Sequence, residues 1–179
     1  MNARSSLFTI ASMLCLAGAA SSAPAARAKA AAPAPAAVLG TAKSAAWTAT
    51  THEAATSDAH KKTLAGGVAT AVTGEIVDVS CYLELGKRGE AHVACGTKCI
   101  EHGEPVGIVD RNGRLYMLFA EEHHPRRDGQ TDIRKVFLPL LAKTVTVSGM
   151  ATENKGVRAL FVSAAEIGAL TKPAEGETH

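Results

Sequence analysis

Two runs of alternating side chains constrain this chain most. Val72-Thr73-Gly74-Glu75-Ile76-Val77-Asp78-Val79 is rich in β-branched residues, and Thr144 to Met150 alternates strictly between polar and apolar or small residues. A period of two places one set of side chains on a single face, so both runs read as strands with a buried side. Shorter strands are expected at Pro105–Val109 and Leu115–Phe119. They are joined by Asp110-Arg111-Asn112-Gly113, whose Asn-Gly pair suits the positive φ angles of a hairpin turn. A last strand, Val157–Val162, follows the turn Asn154-Lys155-Gly156.

Between the first two strands, Gly89 to Gly103 reads as a helix bounded by glycines. Gly96 inside it costs about 1 kcal/mol of helix propensity. Val136–Ala142 reads as a short helix or turn carrying Pro139. Gly74 and Gly149 fall at strong strands, where a coiled barrel needs a bend. The expected fold is mainly β with a minor α+β component: a small five-stranded OB-like barrel with one inserted helix carrying His92, Cys95 and Cys99. An open α+β sandwich with the helix on one face is the alternative.

The first 66 residues differ in character. Arg4 precedes the apolar run Leu7–Ala20, which has signal-peptide length and is too short to span a bilayer comfortably. Residues 1–23 are therefore expected to be a signal peptide, with cleavage near 22–30; an uncleaved N-terminal anchor is the alternative. Residues 24–66, rich in Ala, Pro, Thr and Ser, are expected to be a disordered leader, with Trp47 and Leu64 as apolar exceptions and a helical patch possible near Trp47. Residues 67–170 form the barrel domain and 171–179 a loose tail. The protein is thus expected in the periplasm or secreted, with no stable membrane span once the signal is removed.

Export sharpens the cysteine arithmetic. Cleavage removes Cys15 and leaves Cys81, Cys95 and Cys99, an odd number of thiols in an oxidising compartment. His92, Cys95 and Cys99 stand at i, i+3 and i+7, one face of a helix. The Gly-bearing loop Leu85–Gly89 is long enough to bring Cys81, at the end of the first strand, back to that face. Three sulfurs and an imidazole make a metal set suited to zinc, and soft thiolates also suit copper or an iron–sulfur cluster. The Cys-x13-Cys-x3-Cys spacing lacks the Cys-x2-Cys knuckle of common zinc fingers.

Two other uses of the cysteines stand beside this. Cys81 can pair with Cys95 or Cys99 in a disulfide that staples strand to helix, stabilising a small domain by about 2–4 kcal/mol. Alternatively two cysteines form a redox pair, with Lys87, Arg88 and Lys98 lowering a thiol pKa. His123 and His124, beside Glu121 and Glu122 in a polar loop, are a second, weaker metal candidate, and a solvated loop is the plainer account. Asp78 is a candidate partner orienting a ligand, or else an edge-strand surface residue. His102 suits a helix C-terminus.

The run Thr73–Asp78 leading to Cys81-Tyr82, then Gly86, Gly89, His92, Cys95, Cys99, Gly103, Pro105-Val106-Gly107 and Thr146–Gly149, resembles a family of small, largely uncharacterised exported bacterial proteins. The resemblance covers roughly residues 70 to 167. It implies an OB-like β-domain with a Cys-Tyr…His-x2-Cys-x3-Cys signature, in which Cys81, His92, Cys95 and Cys99 act as a unit, and it supplies no activity.

No Gly-x-Ser-x-Gly, Walker loop or His-Glu-x-x-His is present, and no residue is assigned a catalytic role, so an enzyme is the least supported class. A net charge of +2 without a basic block argues against nucleic acid, and 4% aromatic content leaves little for stacking bases or sugars. The expected partner is a metal ion or a periplasmic protein. The competing expectations are a thiol–disulfide redox or sensing protein, and a disulfide-stapled binding module without metal.

Overall fold

A computed structural model describes residues 34–41, 43, 45–122, 131–163 and 166–167. Along the chain run β1 (Val38–Leu39), α1 (Ala49–Ala54), α2 (Asp58–Ala65), β2 (Val68–Asp78), α3 (Val79–Leu85) and α4 (Val93–Glu101). They are followed by β3 (Val106–Asp110), β4 (Leu115–Ala120), α5 (Ile133–Phe137), β5 (Thr144–Asn154) and β6 (Val157–Val162). The sheet order is β1-β5-β2-β3-β4-β6, and β5 also pairs with β6. Strands β2 to β6 therefore close into a five-stranded barrel, with β1 added on the outside of β5. All barrel pairs are antiparallel except β4 with β6. This is the expected OB-like barrel, not the open sandwich.

Closure depends on β2, which pairs with β5 through Val68–Glu75 and with β3 through Gly74–Asp78. At the crossover, a β-carbon on Gly74 would run into the carbonyl of Val109. Gly149, near where β5 passes from β2 to β6, stands equally close to the Phe161 carbonyl. Both strands bend where glycine lets two backbones approach. Inward-facing Val72, Ile76, Ile108, Leu118, Val145, Val147 and Leu160 fill the barrel. Phe137, from the helix between β4 and β5, and Ile100, from α4, join the same core.

The leader is corrected from residue 36 onward. Ala36 N–H donates to the Thr144 carbonyl at 2.7 Å, and Val38 and Leu39 pair in parallel with Thr146 and Val147. Leu39 is fully buried in the barrel core. Trp47 packs edge-on against Phe161 at 5.4 Å and donates its indole N–H to the Leu64 carbonyl at 2.9 Å. An added strand on an open edge needs only backbone groups and one well-placed apolar side chain, which leaves almost no compositional trace.

The Asp110–Gly113 turn is held by a buried carboxylate. Asp110 Oδ1 accepts from the amides of Asn112 (2.8 Å) and Arg114 (2.9 Å), and Oδ2 accepts from Arg114 Nε at 2.7 Å. Burial pushes the Asp110 pKa up, but these bonds and the guanidinium outweigh it and hold the carboxyl below its ordinary value. A carboxyl depressed on folding stabilises above its unfolded pKa of about 3.9, and that stability drains away as pH falls through the folded value. Asp110→Asn is expected to cost about 1–3 kcal/mol at neutral pH. Urea midpoints measured from pH 6 down to pH 2 should fall less steeply for the variant than for the native chain.

Candidate metal centre

The barrel presents its cysteines on two short helices inserted between β2 and β3. β2 ends at Asp78, whose carboxylate caps the next helix: Oδ1 accepts from the Ser80 amide at 3.0 Å and the Ser80 hydroxyl at 3.1 Å. The chain therefore turns helical at Val79, and Cys81 lies within α3, not at the end of a strand as the sequence predicts. The signal was present in Asp78 as N-cap and Gly86 as stop. The β-branched run into Val79 masks it. Gly86 adopts φ +67, and the Lys87 amide reaches back to the Cys81 carbonyl at 3.2 Å.

A strand residue anchors the connection to the second helix. Glu75 Oε1 accepts from the Gly89 amide at 2.6 Å, and Arg88 Nε lies 3.8 Å from Glu75 Oε2. The chain then makes one 3-10 turn, Glu90–His92, before α4. Gly96 explains its own presence in that helix: a β-carbon there would stand 3.0 Å from Leu141 Cδ2 and 3.3 Å from the His92 ring. Neither Glu75 nor Gly96 is singled out for the site by sequence pattern.

The sulfurs of Cys81, Cys95 and Cys99 all lie within 4.8 Å of one another, and Cys81 Sγ is 3.9 Å from Cys99 Sγ. All three thiols are free. Cys81 is buried, Cys99 half-buried and Cys95 exposed. Asp78, Cys81 and His92 form a second set of three donors within 4.8 Å of one another. Cys81 belongs to both.

The three sulfurs expected to converge lie together, and the histidine groups elsewhere. His92 groups with Asp78 and Cys81, not with all three sulfurs. It sits at the end of the 3-10 turn, directly before α4, with its ring lying against Gly96. Its Nε2 lies 3.6 Å from Asp78 Oδ2. Asp78 is fully buried, not a surface residue.

Hydrogen bonding to Asp78, then burial and the neighbouring Cys99, push the Cys81 thiol up to about 12. Burial raises Cys99 as well. Burial alone would raise Asp78, but the Cys81 thiol, the Ser80 hydroxyl and the amides of both residues hold its carboxyl below the ordinary range. Lys87, Arg88 and Lys98 do not lower the Cys81 or Cys99 thiol as expected for a redox pair, and Arg88 turns instead toward Glu75. A protonated Cys81 is a poor nucleophile, whereas a metal cation displaces the proton and takes the thiolate.

The chain matches no family model, no curated protein and no solved structure. Function must therefore be read from the donor geometry. His102 places Nδ1 2.7 Å from the Lys98 carbonyl at the end of α4, away from the donor sets. His123 and His124 lie outside the described residues. Among the described residues, no helix is long and apolar enough to cross a membrane.

Proposed function

We propose that this chain is an exported metal-binding protein whose ion is anchored by the sulfurs of Cys81, Cys95 and Cys99. The observation that carries the reading is the sulfur spacing. Two thiolates each about 2.3 Å from a tetrahedral zinc stand about 3.8 Å apart. Cys81 and Cys99 stand 3.9 Å apart, while a disulfide needs about 2.05 Å. The fold brings the sulfurs together from two separate helices. Zinc, Cu(I) and an iron–sulfur cluster are the chemistries three thiolates favour. The N-terminal apolar segment and the resemblance to small exported bacterial proteins support a periplasmic or secreted location.

Protein purified from the periplasm without chelator should carry at least one equivalent of a transition metal by elemental analysis. A content below about a tenth of an equivalent, unchanged after reduction and incubation with zinc, would overturn the reading.

The same 3.9 Å separation favours one second reading, a reversible Cys81–Cys99 disulfide. Thiol counting on the oxidised, metal-free protein separates the two. One reactive thiol before reduction and three after would support the redox pair; three throughout would support the metal site.

A further inference from the structure

Two atoms beside the sulfurs remain unaccounted for. Asp78 Oδ2 and His92 Nε2 are both buried, and beyond the Cys81 thiol that faces Asp78 neither has a hydrogen-bond partner. Leaving a polar atom buried and unpartnered costs about 1–3 kcal/mol. Their separation, 3.6 Å, is too long for a hydrogen bond between them. It is close to the spacing of two oxygen or nitrogen donors on one tetrahedral ion, about 3.3–3.4 Å for bonds of 2.0–2.1 Å. The third member of that set is Cys81, already shared with the sulfur site.

We propose that Asp78, Cys81 and His92 hold a second metal ion, joined to the first through the Cys81 sulfur as a bridging thiolate. The proposal rests on the sulfur site described above and adds a distinct position to it. Charge balance favours it. With metal bound, Cys81, Cys95 and Cys99 are thiolates and Asp78 is a carboxylate, four negative charges in all. One divalent ion leaves two of them uncompensated, including an anion beside the fully buried Asp78. Two divalent ions make the cluster neutral, which offsets the cost of burying charge. The same arithmetic selects a divalent ion that accepts sulfur, nitrogen and oxygen together, which is zinc chemistry more than Cu(I). Filling both positions releases three thiol protons to solvent, the shared Cys81 proton leaving once, with no change of oxidation state.

The geometry also explains the shifted histidine. A ring on the Cys95–Cys99 stripe would complete a single four-ligand site. His92 Nε2 instead faces Asp78, and Gly96 leaves room for the ring.

The test is a titration of the untagged, reduced, full-length protein with zinc alone, then with Co(II) as a spectroscopic substitute. The native chain should take up two equivalents. Asp78→Asn, which keeps a helix-capping side chain, and His92→Ala should each take up one. Both variants should retain the sulfur-to-cobalt charge-transfer bands of the three-thiolate site. In the native chain, the electron paramagnetic resonance signal from the first Co(II) should shrink as the second enters, because a shared sulfur couples the two spins. One equivalent in the native chain, whatever the variants do, overturns the second site and leaves the first standing. Two equivalents with additive, uncoupled cobalt signals overturn the bridge. No uptake by the native chain overturns the sulfur site as well. Two equivalents that persist in both variants would place the second ion elsewhere, at His123 and His124 for instance, and overturn the second site; the spin coupling in the native chain decides even if a variant fails to fold.

Discussion

Replacing Cys99 with serine is expected to weaken metal binding by at least about 100-fold, the size of effect that loss of even a supporting contact around a metal reaches. Serine nearly matches the shape of cysteine, so α4 should form as before. What is lost is the thiolate. A serine hydroxyl stays protonated and is a poor donor to soft or borderline ions. Cys99 is also the residue that spans the two helices, its sulfur 3.9 Å from Cys81 on α3. Without it the sulfur site keeps only Cys81 and Cys95, and two thiolates do not close it. Competition against a chromophoric chelator would measure the change. Because binding to the folded state adds to its stability, a saturated site raises the unfolding free energy by about 2.7 kcal/mol at a hundredfold excess over the dissociation constant. Chelator should therefore lower the melting temperature of the native chain by more than that of Cys99→Ser, which keeps only the Asp78, Cys81 and His92 donors intact. A variant that keeps native metal content and native sensitivity to chelator would show that the sulfurs are not the anchor.

The second large effect lies in the barrel, away from the metal. Phe137 has no exposed surface and packs with Ile76, Ile108, Val145 and Leu160. Phe137→Ala should cost about 3–5 kcal/mol, transfer and cavity terms combined. A domain typically has about 5–15 kcal/mol in total, so the urea midpoint should fall by about a fifth or more. The fraction that stays folded should still bind metal at the native ratio, because α3 and α4 take their positions from β2, Glu75 and Gly96. The two variants thus separate scaffold from site. A Phe137→Ala midpoint within experimental error of the native value would mean that this helix does not seal the barrel.

How much of this was legible in the sequence depends on how local each signal is. The barrel strands were readable because alternation, the Asp110–Gly113 hairpin and the bends at Gly74 and Gly149 are written in neighbouring residues. The convergence of Cys81, Cys95 and Cys99 followed from helical spacing and one loop. Three features were not readable. Residues 38–39 join the sheet through backbone hydrogen bonds, and Leu39 enters the core with only Ala37 of its sequence neighbours packed beside it. The helix at Val79–Leu85 hides behind β-branched residues and depends on Asp78 turning inward as a cap. The grouping of His92 with the buried Asp78 rather than with all three sulfurs is not carried by the i, i+3, i+7 pattern. Each is settled by packing, which a local pattern does not carry.

X-ray absorption at the edge of the metal bound by the purified protein tests the central claim most directly. Sulfur anchoring predicts a dominant shell of sulfur donors near about 2.3 Å, with a smaller nitrogen or oxygen shell near about 2.0–2.1 Å. A spectrum fitted by nitrogen and oxygen donors alone would contradict it.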